Sequence, residues 1–211
     1  MKKFCILFLL FQFIYAGGFT QEKDQHMTSD IVTAPENWGR ESFDLPPSFV
    51  PDFGFTGLEE VRFAPGWDDS TNAQFWTYTF AWYLDGDINL TKQHLTNLLE
   101  DYFNGLTKTV GRNNRIEQEK IIPANAQFTR TDTSVYQHAF EGTVELFDVF
   151  FSHHLIKLRI KVKENYCSEI DKHLIVFSLS PKEFHDEVWR IFDDVASPKD
   201  CQALQQATRA H

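Results

Sequence analysis

From Phe75 to Leu84 the chain alternates, with Trp76, Tyr78, Phe80, Trp82 and Leu84 on one side and Thr77, Thr79, Ala81 and Tyr83 on the other. That period of two predicts a strand with one strongly apolar face. A shorter strand, Leu58 to Phe63, is predicted before it and ends at Ala64-Pro65-Gly66, while Asp85-Gly86-Asp87 closes the longer one. Beyond that turn the period changes. Leu95, Leu98, Leu99, Tyr102, Phe103 and Leu106 recur at helical spacing. They predict an amphipathic helix of about sixteen residues that starts near Thr91, stops before Gly111 and covers a sheet face.

The second half repeats the strand pattern. Ala126 to Arg130 opens it, and Val135 to Val149 sets Phe140, Gly142, Val144 and Leu146 against Glu141, Thr143 and Glu145. Next, Ile156, Leu158, Ile160 and Val162 oppose Lys157, Arg159, Lys161 and Lys163, so a hairpin through Ser152 and His153 buries one face and solvates the other. Its register sets the basic row opposite Glu141 and Glu145. The row has the look of a phosphate-binding stripe, but acids on the neighbouring strand neutralise it. His173 to Leu179 is the last strand. Ser180-Pro181-Lys182-Glu183 then carries a capping serine, a proline at the first helical position and a glutamate three residues after the cap, which predicts a second helix. Phe184, Val188, Ile191, Phe192 and Val195 supply its stripe, and Ser197-Pro198 ends it.

Ahead of the strands, Pro35 to Gly57 interleaves prolines and glycines with Trp38, Phe43, Leu45, Phe49, Phe53 and Phe55. So many large apolar groups predict an irregular arm packed on the domain, with a short strand around Phe43. At the start, Lys2 and Lys3 precede an apolar run from Phe4 to Leu10, continued past Gln12 to Ala16, the layout of a secretory signal peptide. Cleavage after Ala16 or after Gly18 fits the small residues there. A run of about thirteen residues falls short of the roughly 20 that a membrane-spanning helix needs. The expected organisation is a signal peptide over 1–18, a flexible leader over 19–34, one α+β domain over 35–200 and a weakly ordered polar tail over 201–211.

This order predicts a mostly antiparallel twisted sheet with two amphipathic helices packed on it. It is similar at the level of fold to the PsbP/Mog1-like group, and less closely to the cystatin-like and NTF2-like groups. Fold likeness alone implies no activity. The segments Pro35-Glu36-Asn37-Trp38, Leu45-Pro46-Pro47-Ser48-Phe49, Gly57 to Trp67 and Phe75-Trp76-Thr77-Tyr78 resemble those of uncharacterised secreted bacterial proteins. That resemblance implies a bacterial, periplasmic setting and brings no function with it.

Export changes the reading of the cysteines. Cys5 lies in the leader, leaving Cys167 and Cys201, which are expected to pair where disulfides persist; two independent thiols are the alternative. Losing Lys2 and Lys3 takes the basic count from 20 to 18 against 30 acids, and the net charge from -10 to -12. So acidic a chain is not expected to bind nucleic acid or anionic membrane surfaces, and without a second hydrophobic span it is not expected to insert stably in a membrane. The 21 phenylalanines imply a Phe-rich core, or else an aromatic binding surface.

Catalytic motifs are sparse. Asp68 and Asp69, with Glu59 and Glu60, could serve as the paired carboxylates of a glycosidase, although loops also carry Asp to cap turns. Asp85-Gly86-Asp87 has part of a calcium-loop pattern without its remaining ligands. His138, His153, His154 and His173 could approach one another near a sheet edge. No paired-histidine spacing supports a metal, and neither metal nor cofactor is expected. Asn89-Leu90-Thr91 fits a glycosylation sequon, with helix capping as the simpler use of Asn89 or Thr91. The leading expectation is an exported soluble domain that binds a protein or small-molecule ligand near Trp67, Trp76 and Trp82. The alternatives are an extracytoplasmic hydrolase using the loop carboxylates and a structural subunit of an envelope assembly.

Overall fold

In the computed structural model, residues 31–86 and 88–209 are described. The signal peptide, the leader as far as residue 30, and Asp87 lie outside the described residues. Seven strands form one antiparallel sheet: β1 (Gly39–Leu45), β2 (Gly57–Phe63), β3 (Tyr78–Asp85), β4 (Asn125–Thr131), β5 (His138–Phe147), β6 (Leu155–Cys167) and β7 (Lys172–Ser180). Their spatial order is β1-β2-β3-β7-β6-β5-β4. With helices α1 (Lys92–Asn113) and α2 (Cys201–Arg209), this is the expected α+β class.

Side-chain alternation sorts the sheet into two faces. On one, Phe80, Trp82 and Leu84 of β3 join Ile175, Phe177 and Leu179 of β7 and Leu158, Ile160 and Val162 of β6 beneath Leu95, Leu98, Leu99, Tyr102 and Phe103 of α1. Thr91 caps α1, its hydroxyl accepting from the His94 N–H at 3.1 Å. The helix runs past Gly111, beyond the expected end. Gly105 marks where the arm before β2 crosses it, since a Cβ there would lie 2.3 Å from the Phe49 carbonyl oxygen. The expected short strand around Phe43 is β1, on the sheet edge.

The opposite face has a thinner cover, and here the structure corrects the sequence. Ile31 and Val32, assigned to the leader, are buried with Ala81, Leu174, Val176 and Leu204. Their N–H groups donate to the two oxygens of Glu60 at 3.2 and 3.1 Å. The helix expected from Ser180 does not form. Ser180 ends β7 with its hydroxyl 3.0 Å from that of Thr77, Glu183 is drawn into an ion pair with Arg159, and Glu187–Asp194 winds as a 3-10 helix. Three residues per turn bring Trp189 and Phe192 together at 5.3 Å, with the Trp189 indole donating to the Lys182 carbonyl. The second α-helix is instead the supposed tail. Asp200 starts α2 by accepting from the Ala203 N–H at 2.8 Å, and Leu204 plugs it into the sheet. Cys167 at the end of β6 and Cys201 at the start of α2 sit at disulfide distance, Cα atoms 5.1 Å apart.

Candidate functional site

The candidate acids do not converge. Glu59 and Glu60 are adjacent on β2 and so point to opposite faces, both buried. Glu59 lies under α1, where it accepts from the Trp82 indole at 2.9 Å and the Tyr102 hydroxyl at 2.7 Å. Burial pushes its carboxyl up to about 8, opposed by those two hydrogen bonds and aided by repulsion from Glu41. Glu60 holds Ile31, Val32 and the Arg62 guanidinium, the last at 2.8 Å. Asp68 and Asp69 are exposed, and Asp69 accepts from the Thr71 N–H and hydroxyl at 2.8 and 2.7 Å, which lowers its pKa. Asp69 is thus a turn cap. Among the described residues, no hydrogen bond or ion pair joins these loop acids to Glu59 or Glu60, so the carboxylate pair a glycosidase needs is not assembled.

The tryptophans separate as well. Trp82, 0% exposed, is enclosed by Phe53, Phe80, Tyr102 and Phe177, and no ligand reaches it in this conformation. Trp76, 2% exposed, lies in the same core but toward one end of the sheet, where it joins the half-buried Trp67 in a further cluster of rings. Two loops build that end. Residues 64–77 fold back so that the Trp76 N–H donates to the Trp67 carbonyl at 2.8 Å, and Gln74 accepts from the Gly66 N–H at 3.2 Å. Facing them is the β5–β6 loop, wound around the buried carboxylate of Asp148. This accepts from the N–H groups of Phe150, Phe151 and Ser152 and from the Ser152 hydroxyl at 2.8 to 3.1 Å.

Asp148 thereby aims Phe151 at Trp67 (5.4 Å between centroids), Phe75 (5.5 Å) and Trp76 (6.0 Å), while Phe150 meets Trp76 at 5.7 Å. Phe63 completes the group, 4.3 Å from Trp67. Five of these rings, Phe63, Trp67, Phe75, Phe150 and Phe151, stay half-buried. Beneath them Trp76 has φ 54°, a left-handed conformation that costs a bulky residue strain, and its indole N–H has no hydrogen-bond partner. The sequence pointed to Trp67 and Trp76 but missed Phe150, Phe151 and Asp148, whose only signal was an acid placed before two phenylalanines at a hairpin.

Other candidates resolve structurally. Cys167, Glu169 and Cys201 bring ligand atoms within 4.8 Å of one another, but the two sulfurs face each other at disulfide distance, which leaves a single carboxylate. Asp85 is used by Thr56 and Lys172. The basic row is paired as expected, Lys157 with Glu145 at 3.0 Å and Lys161 with Glu141 at 3.7 Å, while Lys161 and Lys163 also lie over aromatic rings. His153 and His154 are exposed in their loop. His138 and His173 do approach each other, around the buried Glu164. Among the described residues no helix is long and apolar enough to cross a membrane.

No protein-family model matches this chain, and no curated protein is similar to it. Among solved structures it is similar to the 1.9 Å crystal structure of the Saccharomyces cerevisiae Ran-binding protein Mog1p. The two are 12% identical with a TM-score of 0.30, over 82% of this chain and 92% of the other. A likeness at that score is no ground for carrying over an activity or a partner.

Proposed function

We propose that the protein is an exported, non-catalytic binding domain that receives its ligand on the aromatic end formed by residues 64–77 and the β5–β6 loop. The observation that carries this reading is the unpartnered indole N–H of Trp76 beneath five half-buried rings. A buried donor left without an acceptor is costly, and bulky left-handed residues concentrate at ligand sites. The ligand class that answers it is an apolar group carrying one hydrogen-bond acceptor, as in a hydrophobic peptide segment or a small aromatic or acyl compound. Export is supported by Lys2-Lys3 and the apolar run to Ala16.

A neutral solvatochromic dye such as Nile red tests the site. The folded protein, secreted from the full-length gene, should bind it saturably at one to one, and Trp67→Ala and Phe151→Ala should each weaken binding by about tenfold, the loss expected for one aromatic contact. The mass of the secreted protein should place its N-terminus after Ala16 or Gly18. No saturable binding, or binding indifferent to both substitutions, overturns the site; retention of Met1 overturns export.

A further inference from the structure

Three electron-rich atoms crowd the end of the sheet where β6 turns into β7. Cys167 closes β6, Glu169 follows two residues later in the turn, and Cys201 opens α2. Their two sulfurs and one carboxylate oxygen lie within 4.8 Å of one another. The Glu169 oxygen is 3.2 Å from the Cys167 sulfur. That approach is a hydrogen bond only when the sulfur carries a proton, and a bridged sulfur carries none. Apart from a 3.5 Å contact from the Ser168 hydroxyl, Glu169 makes no other hydrogen bond or ion pair among the described residues. The bridge thus has no use for this carboxylate, whereas a reduced pair of sulfurs does.

We propose that Cys167, Cys201 and Glu169 become a zinc site when the bridge is reduced, and that the ion then clamps α2 to the β6–β7 turn in the bridge's place. Two thiolates and a carboxylate suit a borderline-soft cation that takes tetrahedral geometry, which is zinc. With bonds of about 2.3 Å to sulfur and about 2.1 Å to oxygen, the tetrahedron sets the sulfurs about 3.8 Å apart and each sulfur about 3.6 Å from the oxygen. The contact of 3.2 Å between Cys167 and Glu169 is already close to that, so parting the sulfurs is the main movement required. They stay neighbours once parted. The Asn165 amide donates to the Lys199 carbonyl at 2.9 Å, and Leu204 keeps α2 docked. The positive end of α2 also favours a thiolate on Cys201. Because Glu169 is exposed and Cys201 half-buried, zinc enters from solvent and its fourth position is open to water. A dithiol reductant opens the bridge by giving two electrons and two protons to the sulfurs while closing to its own disulfide. Zinc then displaces both thiol protons to solvent, so metal and disulfide exclude each other. The site lies at the opposite end of β6 and β7 from the aromatic rings and does not depend on the ligand proposed there.

Cobalt reads the site optically, standing in for zinc in the secreted protein after reduction and removal of the reductant. One equivalent should bring up thiolate-to-cobalt charge transfer and tetrahedral ligand-field bands. Zinc should abolish them, and the unreduced protein should show neither. Glu169→Gln changes an exposed side chain and leaves the bridge intact, so it folds. It should weaken zinc binding to the reduced protein by at least about tenfold, the least that losing even an outer partner of a metal ligand costs. Hydrogen exchange supplies the structural readout. Amides of α2 should exchange faster on reduction and slow again with zinc, and Glu169→Gln should lose that recovery at the same zinc concentration. No charge-transfer band, equal affinity in Glu169→Gln, or α2 exchange indifferent to zinc overturns the site, as does a reduced protein that unfolds and that zinc does not restore.

Discussion

Glu59 shows how a single side chain can set a pH dependence without any catalytic role. Its carboxyl is sealed between β2, β3 and α1, and desolvation outweighs the stabilising donors Trp82 and Tyr102. With a folded value near 8 against an ordinary 4.5, the folded state holds the proton that the unfolded chain releases. Stability from this group is therefore greatest below about 4.5 and falls as pH rises toward 8, by on the order of 5 kcal/mol at the limit. Glu59→Gln keeps the shape, with an oxygen to accept from Trp82 and an amide to donate to Tyr102. The variant should match the wild type near pH 5 and exceed it in melting temperature at pH 9, the comparison being made by thermal denaturation monitored by circular dichroism. A wild type that loses no stability between those values would remove this role from Glu59. The same residue illustrates what alternation makes legible: adjacent positions on β2 have opposite parity, and that alone sends Glu59 and Glu60 to different faces. Parity likewise places Glu164 on the apolar row after Val162, where the pattern ends if Lys163 is taken as the last strand residue. No sequence pattern announces that Glu164 meets two histidines from neighbouring strands.

At the scale of elements, strands were legible because each carries its own period of two, and the register of β5 on β6 follows from it: Glu141 opposes Lys161 and Glu145 opposes Lys157. Helix ends were less so. Ser180 to Glu183 has every local mark of a helix start, but β7 extends through Ser180 and Arg159 claims Glu183, so tertiary contacts override the cap. The reverse holds for α2, where one apolar residue, Leu204, and a capping Asp200 are enough once the sheet offers a place to dock. Gly105 exposes a third kind of constraint, the close crossing of an irregular arm over α1. A methyl group there would sit 2.3 Å from the Phe49 carbonyl oxygen and 2.5 Å from a Val50 methyl. Gly105→Ala should therefore destabilise the fold by about 1–3 kcal/mol, although alanine is the better helix former. Urea denaturation reads the difference, and an unchanged or raised midpoint would show that the arm yields instead.

On the scale of the whole molecule, the sheet is covered unequally. One face carries α1 and the large aromatic core; the other is covered by residues 31–34 and α2, together with the 3-10 segment. Each of these two segments is held by one local device. Glu60 accepts the Ile31 and Val32 N–H groups, and Cys201 faces Cys167 across a sequence separation of 34. Such a cover can loosen without dissolving the core, because Ala81, Leu174 and Val176 lose their lid while Phe80, Ile175 and Phe177 keep α1. Cys201→Ser should cost about 2–4 kcal/mol by freeing the unfolded chain, and Glu60→Gln about 1–3 kcal/mol by removing a buried acceptor. Hydrogen exchange should localise both losses: amides of residues 31–34 and of α2 become accessible, while those at the centres of β3 and β7 keep the protection of global unfolding. If either substitution instead exposes β3 and β7 in step with the cover, the two faces form one cooperative unit and both covering segments are part of the core.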